Sequence, residues 1–141
     1  MKLLFLCTGN SCRSQMAEGW ARQLKGGSIE AYSAGIDPKG LHPLAVQVMA
    51  EAGVDISGQK SKHVRDLKDV PFDAVVTVCD SARGNCPRFP GRTRIVHRDF
   101  TDPAAAQGTD DEVLAVFRRV RDQIRDFVAG LPDDLTEGER E

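Results

Sequence analysis

Cys7 and Arg13 bracket the run Cys7-Thr8-Gly9-Asn10-Ser11-Cys12-Arg13-Ser14. An apolar segment, Leu3-Leu4-Phe5-Leu6, precedes it and a helical pattern follows. A thiol at the end of a strand, a tight turn and an arginine opening a helix together make a grip for a tetrahedral oxyanion. The backbone N–H groups of such a loop can point inward at an anion, and the helix N-terminus adds positive potential. Gly9 permits either an unusual backbone angle or a close approach. Arg13 brings a permanent charge with paired donors that match two oxygens. The same field stabilises a thiolate at Cys7, the nucleophilic form of the sulfur. Ser14 can donate a further hydrogen bond to that sulfur, and Asn10 can hold the loop's shape. Thr8, Gly9, Asn10, Ser11, Cys12, Arg13 and Ser14 thus form a binding loop, within which Cys12 takes a structural role. A Cys-x5-Arg spacing also arises by chance, and an inert buried thiol is the commoner fate of cysteine. Its place between strand and helix, with a glycine in the turn, favours the functional reading.

The elements that must position this loop alternate. Lys2–Cys7 reads as a strand. Arg13–Lys25 reads as a helix, with Met16, Trp20 and Leu24 at every fourth position and Gly26-Gly27 as its stop. Ile29–Ser33 is a short strand candidate. A second helix is expected near Pro43, a residue suited to a first helical position, with Leu44, Val48, Met49 and Ala52 as its buried stripe. Ser61–Asp69 is a candidate short helix. The β-favouring run Ala74–Cys79 reads as a strand covered on both faces, and Arg94–His97 as a weaker one. In the last helix Thr109 and Glu112 spell a capping box, and Val113, Phe117, Val120, Ile124 and Phe127 form an apolar face that Gly130 and Pro132 close. Alternating strands and helices imply a parallel sheet with right-handed crossovers and helices on both faces. Ligands in such sheets bind beyond the carboxyl ends of the strands. Cys7 and Cys79 both fall at such ends.

Composition narrows the function classes. The chain has 141 residues, the span of one domain. A net charge of -2 gives no reason to expect nucleic acid or an anionic membrane as partner. The apolar start turns polar after Cys7, too soon for a signal peptide or membrane span, so a cytoplasmic protein is expected. Four cysteines, at 7, 12, 79 and 86, are then not a static disulfide framework. Without a Cys-x2-Cys pair, and with His42, His63 and His97 scattered, no metal is expected. No nucleotide motif is present and no cofactor is expected. Residues 133–141 are acidic and read as a frayed, flexible tail behind a domain spanning 1–132.

Residues 7–20, Cys-Thr-Gly-Asn-Ser-Cys-Arg-Ser-Gln-Met-Ala-Glu-Gly-Trp, resemble the active-site segment of arsenate reductases built on the low-molecular-weight protein tyrosine phosphatase fold. The resemblance extends through Tyr32-Ser33-Ala34-Gly35, Val76-Thr77-Val78-Cys79, Asn85-Cys86-Pro87, Asp102-Pro103 and Arg119-Val120-Arg121-Asp122, to about Pro132. It implies a single-domain α/β fold, with a four-stranded parallel sheet flanked by helices. Taken alone, Asp102-Pro103 is a surface turn; the resemblance implies that Asp102 is the acid that protonates a leaving group. Proline holds the preceding residue extended, which helps to aim its carboxyl. Asp99 is a competitor that spacing does not exclude.

The resemblance further implies a relay. Cys7 attacks arsenate, Cys79 attacks Cys7 as arsenite departs, Cys86 attacks Cys79, and thioredoxin reduces the Cys79–Cys86 disulfide. The polar, glycine-containing segment Asp80–Asn85 suits the movement this needs. Asn10, Glu18 and Ser33 match three ligands of a potassium ion that some family members hold, and Lys62 falls where those members carry an acid. A lysine ammonium can occupy the cation's place, so activity independent of potassium is expected. Two other readings stand beside the reductase: a phosphatase using Cys7, Arg13 and Asp102 alone, and a non-catalytic oxyanion or arsenite sensor using three thiols.

Overall fold

Six residues at the start of the chain determine the centre of the molecule. Leu3, Leu4, Phe5 and Leu6 alternate sides along β1 (Lys2–Cys7), yet all four are fully buried, so both faces of this strand are covered. The computed structural model describes residues 1–79, 89, 93–133 and 135. Within these, β1 is flanked by β2 (Glu30–Gly35) and β3 (Ala74–Thr77), and β4 (Arg94–His97) lies beyond β3. All pairings are parallel, in the order β2-β1-β3-β4. The chain therefore forms the expected α/β fold with a four-stranded parallel sheet and flanking helices. The third strand is shorter than its apolar run, ending at Thr77.

The chain leaves β1 toward β2 on one side and returns to β3 on the other. Connections diverge at such a point and open a crevice above the sheet. Register brings Cys7 opposite Gly35, and Val78 donates its N–H to the Leu6 carbonyl at 2.9 Å. Cys79 thus leaves β3 beside the loop that follows β1.

Three α-helices occur among the described residues: α1 (Arg13–Lys25), α2 (Pro43–Glu51) and α3 (Asp110–Ala129). They pack on one another, and α1 also packs on β1 and β2. α1 is buried continuously from Ser14 to Ala21, whereas Leu24 is 42% exposed. The expected stripe fails there because a fourth-residue repeat drifts around a 3.6-residue helix. Ala52 likewise faces solvent, just past the end of α2. α3 follows expectation: Thr109 and Glu112 form both bonds of the capping box, and Phe117, Val120, Ile124 and Phe127 are buried. The candidate helix at 61–69 is a 3-10 turn, Val64–Leu67. Beyond residue 132, Leu135 is fully buried and belongs to the core. No described helix is long and apolar enough to cross a membrane.

Candidate active site

The first turn of α1 has no acidic residue, and its N-cap, Cys12, makes no side-chain capping bond. Orphan N–H groups and the positive end of the helix dipole are thereby left to the loop in front of them. That loop is held from outside. Ile36, Asp37, Lys39 and His42 donate their N–H groups to the carbonyls of Cys7, Thr8, Gly9 and Ser11 at 2.8–3.1 Å. With the carbonyls engaged outward, the other side of the loop carries the donors, as an anion site requires.

Asn10 is the keystone. It is fully buried and takes a positive φ of 47°, a conformation asparagine tolerates better than most residues. The left-handed turn therefore falls on Asn10, and Gly9 serves close approach: a Cβ there would lie 3.3 Å from Lys39 Cγ and Ser11 Oγ. Asn10 Nδ2 donates to Ser14 Oγ (2.8 Å) and Ser33 Oγ (3.1 Å), and Oδ1 accepts from the Lys62 N–H (2.8 Å). Gln15 Nε2 donates to the Asn10 carbonyl at 3.0 Å.

Cys7 is 2% exposed, and its sulfur accepts the Asn10 N–H at 3.2 Å. Ser14 Oγ stands 2.8 Å from the same sulfur. Because Ser14 already accepts from Asn10, its own hydrogen is available to Cys7. Two donors can thus converge on one sulfur. Cys12 behaves differently: burial pushes its thiol up to about 12, with the Ser11 hydroxyl opposing, so it stays protonated. It is 2% exposed, stands at the N-cap of α1 and lines the cavity beside Cys7.

Arg13 reaches across the cavity, donating to the Phe100 carbonyl at 3.2 Å and lying 3.5 Å from an Asp102 oxygen. The other Asp102 oxygen accepts the Ala104 N–H at 3.0 Å, capping a 3-10 turn, Pro103–Ala105. Cys7, Thr8, Arg13 and Asp102 share one cavity of about 400 Å³. Asp99 lies outside it, exposed beside Arg98 and Phe127. Of the two competing carboxylates, Asp102 alone is brought to Cys7's cavity.

Cys79 is 6% exposed, and its sulfur lies 3.2 Å from Thr8 Oγ1. Cys86, expected to be the third relay sulfur, lies outside the described residues.

Lys62 lies behind the loop. Its ammonium donates to the carbonyls of Ser33 and Lys60, both at 2.9 Å. Burial lowers its pKa, and the Glu18 carboxylate opposes that shift. Glu18 is 2% exposed, accepts from Ser33 Oγ at 2.5 Å and pairs with Arg22. The ammonium thus occupies a carbonyl-lined position between Ser33 and Lys60, under the influence of the Glu18 carboxylate.

Several contributing residues went unrecognised in the sequence. Gly35 leaves no room for a side chain, since a Cβ would lie 2.6 Å from the Thr8 carbonyl oxygen and 2.9 Å from Asn10. Its place in the Tyr32–Gly35 match was the available signal. Lys39 and His42 line the cavity, and His42 Nδ1 also caps α2 by accepting the Leu44 N–H at 3.1 Å. His63 does the same for the 3-10 turn, accepting the Arg65 N–H at 3.0 Å.

An uncapped helix opening on a Cys-x5-Arg loop, at the divergence point of a parallel sheet, defines the class. The family model for low molecular weight phosphotyrosine protein phosphatase matches residues 2–140, and the chain belongs to that family. Its relatives include the arsenate reductases of Halalkalibacterium halodurans and Bacillus subtilis. Each is 52% identical over 122 residues, covering 86% of this chain and 88% of the relative. Among solved structures, an arsenate reductase in oxidized state matches with a TM-score of 0.77 and 34% identity, over 95% of this chain and 98% of the other.

Proposed function

We propose that this chain reduces arsenate to arsenite through Cys7, Cys79 and Cys86, and that thioredoxin reduces the final disulfide in the cytoplasm. The observation that carries this reading is the second thiol: Cys79 Sγ lies 3.2 Å from Thr8, the residue next to the nucleophile. Hydrolysis of a phosphate ester has no use for a sulfur there, whereas reduction of As(V) needs a source of two electrons. The relatives named as arsenate reductases support the same choice.

Each step balances. The oxyanion sits on the loop N–H groups and Arg13. The Cys7 thiolate forms an S–As bond and a hydroxyl leaves as water, taking a proton from Asp102; arsenic is still As(V). The Cys79 thiolate then attacks the Cys7 sulfur. The S–As bond breaks with its electron pair going to arsenic, arsenite leaves as As(III), and a Cys7–Cys79 disulfide remains. Two thiols have lost the two electrons that arsenic gained. Cys86 attacks the Cys79 sulfur, returning Cys7 as a thiolate, and the dithiol of thioredoxin reduces the Cys79–Cys86 disulfide.

The test is arsenate-dependent NADPH oxidation with thioredoxin and its reductase, comparing wild type with Cys7→Ser, Cys79→Ser and Cys86→Ser. All three variants should lose recycling, and Cys79→Ser should stall as a Cys7 adduct. Full activity of either the Cys79 or the Cys86 variant removes the relay.

A phosphatase is the second reading, favoured by one observation: Cys7, Arg13 and Asp102 in one cavity are a sufficient set for phosphate ester hydrolysis without Cys79. On that reading ester hydrolysis is substantial, and Cys79→Ser leaves it unchanged.

A further inference from the structure

The cavity carries a second cation. Lys39 lies on the segment laced along the outside of the oxyanion loop, and its N–H donates to the Gly9 carbonyl at 2.9 Å. Its stem rests on Gly9, with Cγ 3.3 Å from where a Cβ would stand. The backbone and the base of the side chain are thus fixed at the rim of the cavity that holds Cys7 and Arg13. The ammonium is not fixed. It pairs with Asp37 at 2.9 Å, and both partners are about two-thirds exposed (65% and 66%). Such a pair is weak and exchanges readily.

Charge balance gives this lysine a task. An inorganic oxyanion of the arsenate or phosphate type carries about two negative charges near neutral pH. Beside a thiolate it needs more positive charge than one arginine supplies. Arg13 already shares its donors with the Phe100 carbonyl and Asp102. A lysine stem is long and flexible enough to swing its point charge from Asp37 toward the cavity.

We propose that Lys39 is a substrate-positioning residue, whose ammonium leaves Asp37 and pairs with the oxyanion opposite Arg13. This rests on the reading of the Cys7–Ser14 loop as an oxyanion site. Lys39 then sets oxyanion affinity and its dependence on ionic strength, while the bond-making steps stay with the thiols.

The test measures inorganic phosphate affinity by isothermal titration calorimetry, and arsenate KM and kcat, at low and high salt. It compares wild type, Lys39→Met and Lys39→Arg. Methionine should weaken phosphate binding and raise KM by roughly 5–20-fold, the scale of one partly screened charge pair, with kcat within about twofold of wild type. It should also flatten the salt dependence, since screening acts on charge. Arginine should restore most of the affinity. The proposal is overturned if methionine leaves affinity and salt dependence within about twofold of wild type, if the loss is confined to kcat, or if arginine fails to rescue. A wild type that binds phosphate but reduces no arsenate removes the reductase reading, and the binding comparison still decides on Lys39. A wild type that binds no phosphate overturns the oxyanion site and Lys39 together.

Discussion

Ser14 Oγ lies 2.8 Å from Cys7 Sγ while accepting a hydrogen bond from Asn10 Nδ2, also at 2.8 Å. The hydroxyl's acceptor side serves Asn10, which leaves its hydrogen available to the sulfur. Ser14→Ala deletes a donor to the sulfur that must attack as a thiolate, and a hydrogen bond to an ionised group is worth about 1.5–3 kcal/mol. Both kcat and the rate of Cys7 alkylation by iodoacetamide near neutral pH should fall roughly tenfold or more. An alkylation rate equal to wild type would show that the hydroxyl does not serve the thiolate.

Gly35 ties β2 to the loop. Alanine there would place a Cβ 2.6 Å from the Thr8 carbonyl oxygen, so the loop must move. Overpacking of this kind costs about 1–3 kcal/mol. Urea unfolding of Gly35→Ala should show that loss, and phosphate titration should show oxyanion binding weakened by about tenfold, because the N–H groups lose their aim. Unchanged stability together with unchanged binding would contradict the geometry.

Cys12 makes stability depend on alkaline pH. Its thiol is raised from 9.0 to about 12, first by burial, so the folded state holds a proton that the unfolded state gives up. That contribution is complete below pH 9.0 and is lost as the pH climbs toward 12. The slope is at most about 1.4 kcal/mol per pH unit. Lys62 acts in the opposite sense, since its pKa is lowered from 10.5 and its burial cost eases as pH rises toward that value. Comparing wild type with Cys12→Ala isolates the cysteine. Urea midpoints from pH 8 to about 10.5 should fall more steeply in wild type, and parallel curves would refute the assignment.

The Lys62 ammonium is tethered to the Ser33 and Lys60 carbonyls near Glu18, and the resemblance implies that it stands in for a cation there. Arsenate turnover should therefore be unaffected when potassium replaces sodium at constant ionic strength. Lys62→Met leaves the Ser33 carbonyl and the buried Glu18 without that cation. It should lower stability by about 1–3 kcal/mol and make activity rise with added potassium. A wild type that slows sharply without potassium would contradict the replacement.

Much of the site was legible because its signals are local. Strand, turn and helix follow one another within residues 2–25, so the Cys7–Ser14 loop could be read from one continuous segment. The capping box of α3 was equally readable, since both its partners lie within one turn. Signals failed where burial depends on a distant element. Leu24 lies in a helical repeat but faces solvent, and Leu135 lies past the expected end of the domain but is fully buried. Asp99 and Asp102 were inseparable by spacing. The cavity separates them because Asp102 caps the turn at Pro103–Ala105 and faces Arg13 at 3.5 Å.

Residue types and spacing by themselves determined the Cys-x5-Arg loop between strand and helix and the parallel α/β class, because each is written in contacts between near neighbours along the chain. Tertiary structure alone decided three matters: that Cys79 stands beside Thr8, that Asn10 rather than Gly9 takes the left-handed turn, and that Lys39 lines the cavity while Gly35 abuts the loop. All three depend on crossovers that bring the ends of β1, β2 and β3 together at one edge of the sheet. No short-range pattern encodes which segments meet there, since the meeting is settled by how the whole core packs.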